Sequence, residues 1–298
     1  MNEAEWRSRY GVSGGTKLPL VSIILINWNY VSYLQTALDS AAAQDYPALE
    51  IITLDNASDD GSADLMEAFS ASHPEVRFIS LPDNLGQLGA AHHVFTQHQV
   101  AGDFICILDA DDVLFPNFVS HHVRAHLALG GELGVSSSEA IQIGTDGAVI
   151  ASGIPHIRLT MTESWPRIPI AKETADEPPT TAIRVPADVE GWIWSPGTSN
   201  VIRRKTIDAF IAAMPRNILP AYCFDTVALP FAHEDAGSLL IEVPLSAYRT
   251  HGSNASSSMP RLQHFNPHRP TSSAGSEIQH AWFQSGQRSM PGRAKVRV

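Results

Sequence analysis

Apolar residues come in short runs at residues 21–26, 49–54, 76–81 and 104–108, whose starts lie 28, 27 and 28 residues apart. Between them polar and apolar positions alternate with helical spacing: Leu34, Ala37, Leu38 and Ala41, then Leu65, Met66, Ala68 and Phe69, then Ala90, Ala91, Val94 and Phe95. A β-branched run, a turn, an amphipathic helix and another run make a βαβ unit. The runs are apolar almost without interruption, so both faces of their sheet must be covered, as a parallel sheet requires. The pattern predicts an α/β domain, a doubly wound and mostly parallel sheet over residues 19–130. Such sheets bind ligands beyond the C-terminal ends of their strands.

After residue 130 the rhythm fades. Residues 132–143 predict a strand pairing, closed by the turn Thr145-Asp146-Gly147. Scattered prolines, glycines and acids predict a long loop over 151–190. The tail, 257–298, is rich in Ser, Pro, Arg and Gln. It is expected to be disordered, to fold back over the site, or to pack on a second copy of the chain as a homodimer. Phe265, Trp282 and Phe283 favour docking. The chain thus divides into an extension (1–18), an α/β half (19–130), a second half (131–256) and a tail (257–298).

Composition narrows the functional classes. The 298 residues are 44% hydrophobic and 17% charged, which supports a sizeable core and excludes wholesale disorder. A net charge of −11 without a long Lys/Arg cluster disfavours nucleic acid and anionic membranes. No run is long enough to span a bilayer, so no stable membrane insertion is expected. The first residues lack the apolar stretch of a signal peptide, and the two cysteines, Cys106 and Cys223, cannot build a disulfide framework. Both points suggest a cytoplasmic protein.

Three of the four expected strand ends carry acids: Asp55, Asp83, and the cluster Asp109, Asp111 and Asp112. Capping of the following helices explains Asp59, Asp60 and Asp83. It explains Asp109, Asp111 and Asp112 less well, because three acids in four residues repel one another and a bound Mg2+ or Mn2+ would offset that. Of the thirteen histidines, His122 and His126 have helical ligand spacing, but no third ligand is evident and a solvated helix face is expected. His92 and His93 point to different sides of a helix. Trp165, Trp192 and Trp194 either stack on an acceptor or fill the core, the latter favoured for Trp192. Arg203 and Arg204 read as a solvated helix start.

The ordered segments VSIILINWNYVSYLQTALDSAAAQDYPALEIITLDNASDDGSADLM, NLGQLGAA, ILDADD, SPGTSNVIRR and FDTVALPFAHEDAGSLLIEVPLSAYRTHGSNAS resemble the family 2 glycosyltransferases. The resemblance implies a GT-A fold. It makes 19–130 the nucleotide-sugar-binding half and 131–256 the acceptor-binding and catalytic half. It implies an inverting hexosyltransferase-type enzyme that moves a sugar from a nucleoside diphosphate to an acceptor hydroxyl or other nucleophile. It places Asn27, Trp28, Asn29, Asp55, Gln87, Asp109, Ala110 and Asp111 around the donor. Asp111 and His251 would hold a divalent metal, Mn2+ or Mg2+. Asp225 matches the general base, with Asp235 the alternate, because the usual Glu-Asp pair reads Phe224-Asp225 here and Glu234-Asp235 follows ten residues later. Ala91-His92 stands where the family often has Arg-Asn. A carboxylate at Asp55 suits the imide N–H of uracil or thymine, so UDP or dTDP donors are expected, with GDP possible and a soluble acceptor.

The residue types suit that chemistry without the resemblance. A glycosyl diphosphate sheds an anionic leaving group that a cation stabilises, and a carboxylate can take the acceptor's proton. A single base opposite the leaving group implies inversion. Two rivals stand beside this reading: a nucleotidyltransferase, which would want a cation after the first strand where Asn27-Trp28-Asn29-Tyr30 has none, and a non-catalytic nucleotide-sugar-binding protein.

Overall fold

The computed structural model describes residues 1–15, 17–130, 132–151, 165–170, 180–189, 192–215 and 223–251. The tail over 257–298, with Phe265, Trp282 and Phe283, lies outside the described residues. The first half runs α1 (Glu3–Tyr10), β1 (Val21–Asn27), α2 (Val31–Ala42), β2 (Leu49–Asp55), α3 (Ser62–Ser72), β3 (Val76–Ser80), α4 (Gly86–Gln97) and β4 (Phe104–Asp109). The second runs β5 (Val113–Leu114), α5 (Phe118–Ala128), β6 (Val135–Ile143), β7 (Val149–Ala151), β8 (Arg167–Ile170), β9 (Thr180–Val185), β10 (Asn200–Arg203), α6 (Arg204–Ala213), α7 (Phe224–Ala236) and β11 (Ser238–Arg249). One sheet collects these strands in the order β3-β2-β1-β4-β10-β6-β11-β9-β8, with β5 on β11 and β7 on β6. Among the described residues no helix is long and apolar enough to cross a membrane.

The four expected strands are present and parallel, with β1 flanked by β2 and β4. Every residue of β1 is buried. Its side chains alternate between two cores: Val21, Ile23 and Leu25 join Trp6, Leu34 and Phe118 on one face, while Ile24 and Ile26 join Leu88, Val94 and Phe210 on the other. This double coverage is why the runs show no polar alternation. The register pairs Asn27 with Asp55 and Ile26 with Asp109, so the polar ends of three strands finish level at one edge. Sheet order reverses at β1 and β4, where such folds open a crevice.

The second half adds antiparallel strands. Strands β6 and β7 form the expected hairpin; Gly147, at φ 81°, makes the turn and the Gly144 N–H bonds the Ala148 carbonyl at 2.8 Å. The loop expected over 151–190 is corrected in part: β8 and β9 pair there and extend the sheet through β11. Each has only four or six residues, too few for alternation to show, and their partners are remote in sequence. Strand β11 runs parallel to β6 with register breaks around Pro244. Proline has no N–H for the ladder, so the strand bulges there, and beyond it Ser246 and Ala247 also pair with β5 while the strand stays on β6 to Arg249. The end of β11 thus carries Arg249 and His251 to the acids after β4.

The polar residues outside the site also find structural work. Helix α1 buries Trp6, whose Nε1–H donates to Ser120 Oγ at 2.7 Å. Trp194 fills the core and donates to Ser238 Oγ at 2.9 Å, while Trp192 donates to the Trp194 carbonyl at 2.8 Å. Arg204 opens α6 and pairs with Asp208 one turn on. The solvated face expected for His122 and His126 is corrected: both are wholly buried. Their Nδ1 and Nε2 atoms lie 2.7 and 2.9 Å from one hydroxyl, Ser136 Oγ. Four-residue spacing therefore serves a shared serine on β6.

Burial and mutual repulsion hold His122 well below the ordinary histidine range, and burial brings His126 down to about 4. A histidine depressed in the folded state stabilises fully above the unfolded value and less as pH falls through the gap. His126→Gln should therefore cost more at pH 7 than at pH 4, the difference shrinking by roughly 3 kcal/mol. Denaturant unfolding of both proteins at the two pH values measures this. An equal cost at both would show that the imidazole titrates normally.

Candidate active site

At the end of β1, Asn27 donates from Nδ2 to Asp55 Oδ1 at 2.9 Å and to Ser58 Oγ at 3.1 Å. The Ser58 N–H returns a bond to Asp55 Oδ2 at 2.9 Å. The Asn29 N–H donates to Ser58 Oγ at 2.9 Å, and Asn29 Oδ1 accepts from the Asp59 N–H at 2.9 Å. These bonds hold the loops after β1 and β2 together. They keep Asn29 at φ 59° and Ala57 at φ 62°, a left-handed backbone that asparagine tolerates and alanine adopts only under constraint. Asp60 bonds the starts of two helices: its Oδ1 accepts from the N–H of Ser62, the first residue of α3, at 3.0 Å, and its Oδ2 from the N–H of Val31, the first residue of α2, at 2.9 Å. Trp28 stands half-exposed at the rim.

The acids after β4 crowd together. Asp109 accepts a bond from Gln87 Nε2. Asp111 Oδ2 lies 2.9 Å from His251 Nε2, and Asp112 Oδ1 accepts from the Arg249 N–H at 2.8 Å. Ala110 between them is buried. Burial, then Asp111 and Asp225, push Asp109 well above the usual carboxylate range. Burial, Asp111 and Asp109 do the same to Asp112. Tyr30 is raised to about 12 by burial and by the three acids beside it.

One arginine braces this turn. Arg249 Nε donates to the Asp111 carbonyl at 2.8 Å and Nη1 to the Gly144 carbonyl at 2.9 Å. Its guanidinium lies 4.7 Å from the Tyr33 ring centre. The His251 ring stacks on Tyr33 at 5.2 Å and meets Tyr30 edge-on at 5.5 Å. The imidazole is thereby aimed at Asp111. Sequence reasoning missed Arg249, Tyr30 and Tyr33; the segment YRTH placed Arg249 two residues from His251, but nothing in the pattern said where its side chain goes.

Asp225 lies in the first turn of α7. The segment around Gly197, which joins Trp194 to β10, passes between it and Asp109. A Cβ on Gly197 would come within 3.3 Å of Asp109 Oδ2 and 3.5 Å of the Asp225 side chain. A small recess here is lined by Gln87, Asp109, Gly197, Asn200, Phe224 and Asp225. Burial raises Asp225 to about 6, against the N–H groups of Thr226, Asp225 and Gly197. Asp235 sits ten residues further along the helix, about 15 Å away at the helical rise, and accepts from the Thr206 hydroxyl at 2.8 Å. His92 is on α4, half-buried. The structure thus gathers Asn27, Asn29, Asp55, Gln87, Asp109, Asp111, Asp225 and His251 at one sheet edge and leaves Asp235 elsewhere. Among the described residues no three His, Cys, Asp or Glu side chains form a ready metal cage.

Known proteins bear on this edge. A family model described as glycosyl transferase family 2 matches residues 22–186. An uncharacterized glycosyltransferase of Nostoc sp. is 34% identical over 97 residues, 33% of this chain and 30% of that protein. The chain matches about a third of the length of such curated relatives. S. aureus TarS 1-349 in complex with UDP-GlcNAc superposes with a TM-score of 0.54 at 15% identity, over 79% of this chain and 60% of that one. The mannosyltransferase PcManGT from Pyrobaculum calidifontis in complex with GDP-Man and Mn2+ superposes with a TM-score of 0.53 at 14% identity, over 93% of this chain and 66% of that one. At such identity the superpositions speak for the fold, and the architecture is GT-A. The matched model covers the parallel half and runs into the second, the span whose strand ends carry the acids described above, and on that match the chain belongs to glycosyl transferase family 2.

Proposed function

We propose that this protein transfers a sugar from a nucleoside diphosphate to an acceptor hydroxyl with inversion, Asp225 serving as general base. The observation that carries the reading is the approach of Asp225 to Asp109 across Gly197. A partly buried carboxylate raised to about 6 faces the edge where a donor would lie. Its proton affinity is matched to neutral pH, so it can take the acceptor's proton as the new bond forms. Attack from that side, opposite the departing diphosphate, inverts the anomeric carbon, and no second carboxylate nucleophile is needed. Asn27, Trp28, Asn29 and Asp55 are the candidates for the nucleotide, and Asp109 for its ribose.

Asp111 and His251 suit a divalent cation. A carboxylate oxygen and an imidazole nitrogen already converge, beside acids whose repulsion a cation would relieve. Asp111 and His251 would supply two protein donors, and a mixed O and N set suits Mn2+ or Mg2+. When bound, the ion would stabilise charge on the leaving diphosphate. Tyr33 and Arg249 hold His251 and the Asp111 backbone in place. The Mn2+ in the PcManGT complex supports this reading.

Asp55 is 1% exposed, and each of its oxygens already accepts one protein bond, retaining a second acceptor site. We assign it the imide edge of uracil or thymine. The UDP-GlcNAc in TarS is consistent with a uridine donor, and the GDP-Man in PcManGT keeps guanosine as second choice.

Incubation with a panel of nucleotide sugars and Mn2+ tests the whole reading. Slow release of nucleoside diphosphate supports it. Pyrophosphate release from a nucleoside triphosphate would favour a nucleotidyltransferase, and binding without turnover a non-catalytic module. Asp111→Asn, or EDTA on the wild type, should lower turnover by roughly 100-fold or more; full activity in EDTA would refute the metal. Asp225→Asn should leave UDP affinity nearly unchanged and cut turnover by about 100-fold or more. The wild-type rate should fall as pH drops below about 6, as Asp225 takes up its proton. The same kinetic signature in Asp235→Asn instead would move the base. By calorimetry with Mn2+, UDP and dTDP should bind roughly tenfold more tightly than CDP, and Asp55→Ala should erase the difference. Equal weakening of every nucleotide by Asp55→Ala would make that residue a builder of the loop alone.

A further inference from the structure

Gln87 does more at this edge than its place in the sequence suggests. It lies in the first turn of α4, and the loop before it is pinned to the end of β2. Asn56 Oδ1 accepts from the Leu85 N–H at 2.9 Å, while Asn56 Nδ2 donates to Asn84 Oδ1 at 2.8 Å, which also accepts from the Gly86 N–H at 2.8 Å. From this fixed base the Gln87 amide spans the crevice. Its Nε2 donates to Asp109 Oδ1, and its Oε1 accepts from the Phe224 N–H at 2.9 Å. The Phe224 N–H fixes the orientation of the amide, since an N–H can only donate and so takes Oε1, which leaves Nε2 to Asp109.

The Phe224 N–H is one of the orphan donors of α7, and the residue before it, Cys223, makes no side-chain cap. The cap comes instead from another helix, 137 residues away in sequence. Asp225 is the next residue. Apolar contact runs alongside, with Phe95 on α4 stacked 6.4 Å from Phe224. A rigid amide thus ties Asp109 to the turn that carries Asp225.

We infer that Gln87 is a positioning residue, which sets the separation of the donor-side acid Asp109 and the base Asp225 by capping α7 with its carbonyl while its amino group holds Asp109. The inference rests on the reading of Asp225 as base. It differs from a donor-binding role, in which loss of Gln87 would weaken the nucleotide. Here the loss falls on turnover, because a displaced base acts poorly although the nucleotide still binds.

Gln87→Met keeps the length and removes both bonds, whereas Gln87→Glu keeps an acceptor for the Phe224 N–H and loses the donor. Three measurements on the full-length variants decide: amide exchange at Phe224, UDP affinity with Mn2+, and release of UDP from UDP-GlcNAc or UDP-glucose. Gln87→Met should speed Phe224 exchange about tenfold or more, leave UDP affinity within about threefold, and lower turnover by about 30-fold or more. Gln87→Glu should retain the Phe224 protection, and it stands in for the cap if the methionine variant does not fold. Unchanged Phe224 exchange in Gln87→Met, lost protection in Gln87→Glu, or a loss of UDP affinity as large as the loss of turnover overturns the inference. Asp225→Asn measured in parallel separates the two readings. If it retains turnover, the base assignment fails on its own; if it collapses while Gln87→Met stays active, only the positioning role fails.

Discussion

Like-charge repulsion at one sheet edge is the constraint around which this structure is arranged. Asp109, Asp111, Asp112 and Asp225 come together from β4, the turn after it and the first turn of α7, and burial adds to their mutual repulsion. Such a cluster stays in place only if the surrounding backbone is held by groups that do not depend on it. The parallel half supplies that rigidity. Its strands are packed on both faces and end level, so the acids leave a base that cannot shift without disturbing two cores.

The second half supplies what the first lacks, a counter-charge and a lid of hydrogen bonds. Strand β11 carries both. Past its break at Pro244 it stays paired with β6 as far as Arg249, takes β5 at Ser246 and Ala247, and presents Arg249 and His251 to the acid turn. Arg249 bonds backbone carbonyls from two loops and stacks on Tyr33, so one cation braces three segments. His251 then approaches Asp111 from a fixed direction.

A recurring device joins the elements around the edge. Helices α2 and α7 begin without side-chain caps of their own. Asp60 from the loop after β2 bonds the first turn of α2, and Gln87 from α4 bonds that of α7. Each cap satisfies an orphan N–H and at the same time fixes one loop against another. In the core, His122 and His126 share Ser136 in the same economical way, binding α5 to β6 through one hydroxyl.

The sequence by itself determined the parallel half. Near-continuous apolar runs at a 28-residue rhythm can be satisfied only by strands covered on both faces, so the elements, and the edge that would carry Asp55, Asp109 and Asp111, follow from local pattern. It also placed Asp225 and His251 near that edge by likeness to a family. What only the tertiary structure decided depends on partners remote in the chain. Strands β8 and β9 are too short to alternate visibly and exist because β9 pairs with β11 and β8 with β9. His122 and His126 have the spacing of an exposed ligand pair, and only the packing of α5 on β6 shows them buried on a serine. Asp225 and Asp235 are equivalent as residue types; the fold separates them, because one opens α7 beside Gly197 and the other closes it against Thr206. Spacing along a chain fixes which residues share a face. It does not fix which face meets which, and that is settled by the long-range contacts that bury a group or leave it open.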